Sequence, residues 1–170
     1  MLELLSLPEY LHVLTNPVIT HLLPVASILL VASLFVRGRI LLVTSLILVT
    51  VASFSAWVVI LFGQEAYEGV ATLADSVGKD WLEVHMQRAE LWAPLFYATA
   101  GVSLLALVLA AKWPDLAKRI SAAPTVLANV ASGFAGYIAY PAGKIRHEEF
   151  RNAEPPSEEL HRAGENDHTH

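Results

Sequence analysis

Histidine is the residue type in this chain with the widest choice of chemistry. The sequence has seven histidines and no cysteine, so disulfides, iron–sulfur clusters and thiolate metal sites are excluded from it. Two of the histidines, His21 and His85, lie close to the ends of long apolar stretches. Imidazoles that face each other from two helices of a bundle can ligate the iron of a b-type haem. His21 and His85 are therefore the candidate haem ligands.

The same two histidines allow other sites. With the carboxylates of Glu65 and Glu68 they could hold a copper or zinc ion, because imidazole suits both metals. A contact with a quinone is a further alternative. The structural alternative is that His21 bonds a backbone carbonyl near Pro24 while His85 is simply solvated. Two histidines without a fixed spacing do not decide among these sites.

No motif of a hydrolytic or phosphate-binding enzyme occurs in the sequence. There is no Gly-rich phosphate loop, nucleophile motif or H-E-x-x-H pair, which are the arrangements that such chemistry uses. The apolar stretches also contain no carboxylate, lysine or arginine, whereas proton pumps, ion-coupled transporters and voltage sensors need such groups within the membrane. We therefore expect a protein without catalytic activity of its own and without a nucleic-acid partner.

Four apolar stretches must position the histidines, and their length predicts that they cross a membrane. Hydrophobic residues make up 55% of the sequence and charged residues only 16%, against about 25% charged in an ordinary soluble domain. Each stretch is near the roughly 20 residues that cross a hydrocarbon core of about 30 Å. We predict an all-α polytopic membrane protein with four antiparallel transmembrane helices in the lipid bilayer, at residues 17–36, 40–62, 91–111 and 120–140.

An outer-side helical segment is predicted between helices two and three, over Gly63–Glu90. Apolar residues recur there at intervals of three and four, which is a helical period. Gly78 is the expected C-cap, and Asp80 is expected to start a helix that runs on into the membrane. In the first transmembrane helix, Pro24 removes a backbone hydrogen bond and predicts a kink within one turn of His21.

The chain divides into three regions. Residues 1–16 form an N-terminal segment that we expect to lie on the membrane interface as a short amphipathic helix. Residues 17–143 form the four-helix transmembrane domain, and residues 144–170 form a polar acidic tail. A segment with the composition of this tail cannot bury enough apolar surface to form a core.

The distribution of basic residues predicts the orientation in the membrane. Two short connections on the same side of the bundle combine five basic residues with a single acidic residue, Asp115; the basic residues are Arg37, Arg39, Lys112, Lys118 and Arg119. By the positive-inside rule these connections face the cytoplasm. Both termini then lie outside.

Several short motifs resemble those of a bacterial protein family. Asn16–Ala26, with the sequence NPVITHLLPVA, takes the place of an H-P-x-x-V-H-F-P-I-A opening. Gly63–Ala66 resembles a G-x-x-A motif after helix two, and His85 stands where the family has a histidine ahead of helix three. Ser132–Tyr140 resembles a T-G-x-x-G-G closing stretch. The chain thus resembles the widespread four-helix inner-membrane proteins of bacteria, a family of unknown function.

The resemblance implies a four-helix fold, a location in the bacterial cytoplasmic (inner) membrane and an association with redox chemistry. The chain departs from the family pattern at three places. Asn16 replaces the first histidine of the opening, and Leu22–Leu23 makes the opening one residue longer before its second proline. Ala142–Gly143 replaces the closing His-Gly. If the histidines of the family bind a cofactor, only two of these candidates are retained in this chain, namely His21 and His85.

The function expected from the sequence is that of a small integral membrane protein. We expect it to act as a non-catalytic accessory subunit of a membrane complex that is linked to electron transfer, with other subunits as partners. Ala128, Ser132 and Gly136 form a small-residue face on helix four, which favours close packing within the bundle or against a partner helix. Two alternatives stay open. One is a b-type haem electron-transfer protein with a site near the outer face, and the other is a membrane protein that handles a metal or a small solute.

Overall fold

All regular structure in the described part of the chain is helical. A computed structural model describes residues 6–36 and 38–156, and in these two ranges every regular element is an α-, π- or 3-10 helix. The all-α prediction is confirmed for these residues. Arg37 and the part of the predicted acidic tail beyond residue 156 lie outside the described residues.

The helices follow one another with short connections. The α-helices are α1 (Pro8–Pro17), α2 (Leu23–Phe35), α3 (Arg39–Leu73), α4 (Ser76–Lys112), α5 (Ala117–Ile120) and α6 (Ala122–Arg146). A π-helical turn, Val18–Leu22, joins α1 to α2, and 3-10 turns lie at Pro114–Leu116 and Glu148–Phe150.

Four helical runs are long and apolar enough to cross a membrane. They are Pro8–Phe35, Arg39–Leu73, Ser76–Lys112 and Pro114–Arg146, of 28, 35, 37 and 33 residues. This confirms the prediction of a multi-pass membrane protein with four transmembrane helices. At 1.5 Å per residue the longer runs exceed the roughly 20 residues that a membrane requires, so parts of these helices extend beyond the apolar stretches of the sequence.

The first helical run changes its hydrogen-bond register directly before Pro24. Proline has no N–H, so the carbonyl of Thr20 cannot receive the bond that an α-helix would supply. Val18–Leu22 adopts the wider π-helical turn directly before α2, where Pro24 lies in the first turn. The N-terminal segment therefore continues through this turn into the first transmembrane helix.

The segment between the second and third transmembrane helices consists of two helix ends. α3 runs unbroken to Leu73 and α4 begins at Ser76. Asp75 is the N-cap of α4, and its side chain accepts a hydrogen bond of 2.7 Å from the N–H of Gly78. Gly78 therefore lies in the first turn of α4. The expectations of a C-cap at Gly78 and a helix start at Asp80 are wrong, because the Asp75 carboxylate caps the helix earlier in the chain.

Small residues and leucines fill the centre of the bundle, and larger apolar residues cover its outside. The fully buried positions of the main core include Leu23, Leu30, Leu46, Val49, Ala52 and Ala128. Ile28, Phe54 and Val126 point outward with exposed fractions of 65%, 58% and 63%. An apolar outer surface of this kind suits lipid rather than water as the surrounding medium.

The small-residue face of α6 differs from the one expected. Ala128 is buried, and Ser132 donates to its carbonyl at 2.7 Å and lies 3.4 Å from the hydroxyl of Ser27 on α2. Gly136 is exposed, and a Cβ placed there would meet nothing within 4 Å. The buried face of α6 therefore continues through Ala131 and Ala135 instead, while Gly136 lies outside the bundle.

Basic side chains bind the last carbonyl groups of helices at one end of the bundle. The Nζ of Lys118 donates to the carbonyls of Leu34 and Val36 at 2.9 and 3.0 Å. Arg39 donates to the carbonyl of Ala110 at 3.3 Å. Cations are favourable at helix C-termini, where carbonyls lack partners. We call this part of the molecule the basic end.

The beginning of the predicted acidic tail packs against the helices. α6 extends to Arg146, and Lys144 and Ile145 are buried. The Nζ of Lys144 lies 4.5 Å from the centre of the Trp81 ring and 4.3 Å from that of Tyr140, and it donates to the Asn152 side chain at 2.8 Å. Aromatic faces and an amide oxygen thus replace water around this ammonium group, which the polar composition of the segment did not indicate.

Arg151 joins the ends of two helices. Its guanidinium binds both oxygens of Asp75, at 2.6 and 2.8 Å, and also donates to the carbonyls of Lys144 and Ile145. It therefore caps the C-terminal part of α6 while it pairs with the residue that caps α4. The Arg151 guanidinium and the N–H of Gly78 lower the pKa of the Asp75 carboxyl.

The Asp75–Arg151 pair predicts a pH-dependent contribution to stability. Because the pKa of Asp75 is lowered in the folded protein, the contribution is present at neutral pH and is lost as the pH falls through the lowered pKa. We expect Arg151→Ala to lower the midpoint of thermal unfolding in detergent at pH 7, and we expect the difference from the wild type to shrink in acid. Arg119→Ala, at an exposed position, is the control. A difference between Arg151→Ala and the wild type that does not change with pH would contradict the pairing.

Candidate functional site

The structure brings two histidines together from different helices. His12 lies on α1, and its Nδ1 is 2.9 Å from the carbonyl oxygen of Val59 on α3. His85 lies on α4, and its Nδ1 is 2.8 Å from the carbonyl oxygen of Ile138 on α6. The two rings stand edge to face, with centroids 6.3 Å apart and an angle of 86° between their planes. We call the pair and its surroundings the histidine site.

The hydrogen-bond partners assign the tautomer of both rings. A carbonyl oxygen can only accept, so Nδ1 of each ring must be the donor. In the neutral form of each imidazole the lone pair then lies on Nε2. Within residues 6–36 and 38–156, neither Nε2 has a hydrogen-bond partner. The site therefore offers two nitrogen lone pairs.

A small and mostly apolar cavity lies at the two rings. Its volume is about 50 Å³, and its walls come from α1, the π-helical turn, α3, α4 and α6. Apolar residues dominate the lining, including Ile19, Val59, Phe96 and Ile138, and Met86 lies among them directly after His85. Both histidines therefore line a cavity with few polar groups.

A wider cavity of about 350 Å³ adjoins the same two histidines. It shares Asn16, Gly63 and Met86 with the smaller cavity. The rest of its wall is also mostly apolar but includes the polar side chains of Glu9, Tyr67, Arg146 and His147. These polar side chains give a charged solute a route towards the histidines. We call this wider cavity the vestibule.

Gly63 allows α3 to approach His12 closely. A Cβ at this position would lie 3.1 Å from both Cε1 and Nδ1 of the imidazole, which is tighter than ordinary van der Waals contact. Any larger residue would press on the ring atom that bonds the carbonyl of Val59. Gly63 is also the first residue of the motif that resembles G-x-x-A in the bacterial family.

The candidate His21 does not take part in this arrangement. It is exposed on the π-helical turn, its Nδ1 lies 2.8 Å from the hydroxyl of Thr20, and it lines neither of the two cavities. His21 lies on the exposed side of the first helical run, whereas the His12 ring reaches the carbonyl of Val59 on α3. The structure thus pairs His85 with His12 instead of His21.

The carboxylates proposed as metal ligands are also apart from the site. Glu65 and Glu68 are both exposed on α3. Among residues 6–36 and 38–156, no three histidine, aspartate or glutamate side chains converge as a metal site. The structure therefore does not gather His21, His85, Glu65 and Glu68 around one ion.

Sequence reasoning missed His12, although a signal for it exists. Ile19, Leu23 and Ala26 follow His12 at intervals of 7, 11 and 14 residues, and all three are buried in the core. These intervals follow the helical period. Extending the first transmembrane helix backwards along this buried stripe would have placed His12 on the inner face. The separation of residues 1–16 as an interfacial segment concealed it.

One turn beyond His85, α4 packs a cation against α6. Arg88 is buried, its guanidinium lies 3.9 Å from the centre of the Tyr137 ring, and it donates to the carbonyl of Tyr137 at 3.2 Å. Trp92 stacks on Phe134 with a centroid distance of 3.7 Å. These contacts hold α4 and α6 together and so fix the position from which His85 reaches Ile138.

Comparison of the chain with protein-family models, curated proteins and solved structures found no match. The resemblance to the bacterial four-helix family stays a prediction. What the histidine site binds has to follow from its own residues and their geometry.

Proposed function

We propose that this chain is a non-catalytic membrane protein that holds a transition-metal centre between His12 and His85, either a haem iron or a single metal ion. We further propose that it serves as an accessory subunit of a membrane complex linked to electron transfer. The observation that carries the proposal is the pair of facing imidazoles, each with Nδ1 on a helix carbonyl and a lone pair on Nε2.

The distance between the rings supports a shared metal. Two imidazoles on opposite sides of one ion, with metal–nitrogen bonds of about 2.0–2.1 Å and about 1.1 Å from nitrogen to ring centre, have centroids about 6.3 Å apart. The centroids of His12 and His85 are 6.3 Å apart. The separation of the two rings therefore leaves room for one ion between them.

The hydrogen bonds on Nδ1 also support metal binding. Histidine ligands of metals usually donate their second ring N–H to a carbonyl, a carboxylate or water, which fixes the tautomer and the ring orientation. Val59 and Ile138 supply such carbonyls to His12 and His85. Both rings of the pair therefore have the hydrogen bond that such ligands use.

The membrane setting of the site follows from the helix contacts. Gln64 bonds Glu90 and Tyr67 bonds Glu83, each at 3.0 Å, so residues later on α3 meet residues earlier on α4. This order supports an antiparallel arrangement of α3 and α4. The basic end would face the cytoplasm by the positive-inside rule, which puts the histidine site and the ends of α3 and α4 near the outer face of a bacterial inner membrane.

Features outside the bundle support a partner subunit. Gly101 and Gly133 are exposed, like Gly136, and a Cβ on either would meet nothing within 4 Å. Small residues on a lipid-facing surface let another helix approach closely. An accessory role would use this surface for contact with other subunits, while the histidine site carries the metal.

Substitution of the two histidines tests the metal centre. We expect the purified wild-type protein to show a Soret band or about one bound transition-metal ion per chain, and we expect His12→Ala and His85→Ala each to lose it, because each removes one lone pair. The measurements are a visible spectrum and elemental analysis after dialysis. His21→Ala is the matched control and should keep the centre. A wild-type protein with neither haem nor metal, or a centre that persists in both variants, would refute the proposal.

Native size tests the accessory role. In mild detergent we expect the protein to co-purify with other membrane polypeptides and to migrate above the size of its 18.5 kDa chain. The measurement is native size analysis followed by identification of the associated chains. A monomer without associated polypeptides would contradict the accessory role and would leave the metal centre as a separate question.

Gly63→Ala tests the link between helix packing and the metal. The added methyl group presses on the His12 ring, so we expect affinity for the bound metal or haem to fall by roughly ten- to a hundred-fold, the effect typical of disturbed groups around metal ligands. Gly136→Ala is the matched control, since a Cβ there meets nothing. Equal affinities of the two variants would mean that Gly63 does not position His12 for binding.

A further inference from the structure

We infer that the ligand of the histidine site is a bare cuprous ion, bound by Nε2 of His12 and of His85 with support from the thioether of Met86. This inference rests on the proposed function, because it names the ion of the same centre. Four features of the site carry it: the volume of the cavity, the kind of donor atoms, the spacing of the rings and the route of entry.

The smaller cavity at the rings fits an ion and not a macrocycle, and the vestibule beside it, at about 350 Å³, is at the lower limit for a drug-sized ligand. Pockets that hold drug-sized ligands have volumes of roughly 300–1,000 Å³, and the cavity lined by His12, His85 and Met86 has about 50 Å³. A haem would have to separate α1 and α3 from α4 and α6 and would break the packing of Phe96 and Ile138. A single ion enters without such a change.

The donor atoms favour a soft ion. Structural zinc takes four protein ligands and catalytic zinc three, while calcium and magnesium take oxygen ligands. In residues 6–36 and 38–156 no third histidine, aspartate or glutamate joins the pair as a metal ligand. Glu90 lines the cavity, but it is exposed and accepts a hydrogen bond of 3.0 Å from Gln64. The remaining donors at the cavity are the two imidazoles, the thioether of Met86 and the neutral side-chain oxygens of Asn16 and Thr20. Of these, the thioether selects Cu(I).

The spacing of the rings agrees with a low coordination number. A centroid distance of 6.3 Å leaves room for one ion between the two imidazoles. Cu(I) accepts two or three donors, since its filled d shell imposes no fixed geometry. The cavity wall is mostly apolar, as at Ile19 and Val59, and the one carboxylate that lines it, Glu90, is exposed and bonds Gln64.

The vestibule provides the route of entry that a buried metal site needs. It adjoins both histidines and Met86, and its wall contains Glu9 and His147. These side chains can hold an incoming cation briefly before the two imidazoles replace them. The vestibule thus connects the ligands to the polar surface near the end of α6.

The test is an anaerobic Cu(I) titration of the full chain in detergent against a chromophoric Cu(I) chelator. We expect the wild type to bind about one Cu(I) per chain, His12→Ala and His85→Ala to bind none, and Met86→Leu to bind about ten-fold more weakly. His21→Ala is the matched control and should behave as the wild type. X-ray absorption of the loaded wild type should show nitrogen at about 2.0 Å and sulfur at about 2.3 Å, and Met86→Leu should lose the sulfur.

The outcomes separate this inference from the proposed function. A wild type that binds haem or another metal at His12 and His85 but takes no Cu(I) overturns the cuprous inference and keeps the proposed function. A wild type that binds neither haem nor any metal overturns both. Unchanged Cu(I) affinity in Met86→Leu, with no sulfur in the spectrum of the wild type, overturns the thioether ligand. Met86→Leu conserves volume, so its result does not depend on whether the histidine variants fold.

Discussion

Two hydrogen bonds from imidazole to backbone carbonyl determine what the site can do. His12 on α1 donates to Val59 on α3, and His85 on α4 donates to Ile138 on α6. A helical carbonyl has a second lone pair beyond the one used within the helix, so each bond joins two helices without breaking either. Such a bond stabilises by only about 0.5–1.5 kcal/mol. Its greater effect is to fix the proton on Nδ1 and leave Nε2 as a ligand.

The charged side chains at the two ends of the bundle have different kinds of hydrogen-bond partner. At the basic end, Lys118 and Arg39 bind helix carbonyls directly. Between the ends, buried hydroxyls such as those of Ser45 and Thr99 bond carbonyls of their own helices. Among the described residues, the buried hydroxyls of Ser53 and Ser103 have no hydrogen-bond partner. At the other end Arg151 and Asp75 bind each other and the helix ends. The histidine pair differs from these groups because it lines a cavity, and the Nε2 of each ring bonds none of the described residues.

The sequence predicted the helices well and the site only in part. Hydropathy is a property of each stretch by itself, so four membrane-crossing helices could be recognised without tertiary information. The pairing of His85 depends on which face of the first helix points inward. To identify that face, one must know where the helix begins, and it begins at Pro8, earlier than expected. Lys144 and Arg88 are buried because Trp81 and Tyr137 lie against them. Contacts of this kind between distant residues leave no periodic signal.

The position of the site between helix pairs has a mechanical consequence. His12 and Gly63 belong to the contact of α1 with α3, whereas His85 and Ile138 belong to the contact of α4 with α6. An ion that binds both imidazoles therefore connects the two pairs, and any ligand that binds the folded bundle alone also stabilises it. The coupling works in the opposite direction as well. A partner helix that shifts α4 relative to α1 would change the distance between the rings, and with it the affinity for the ion, without touching either histidine.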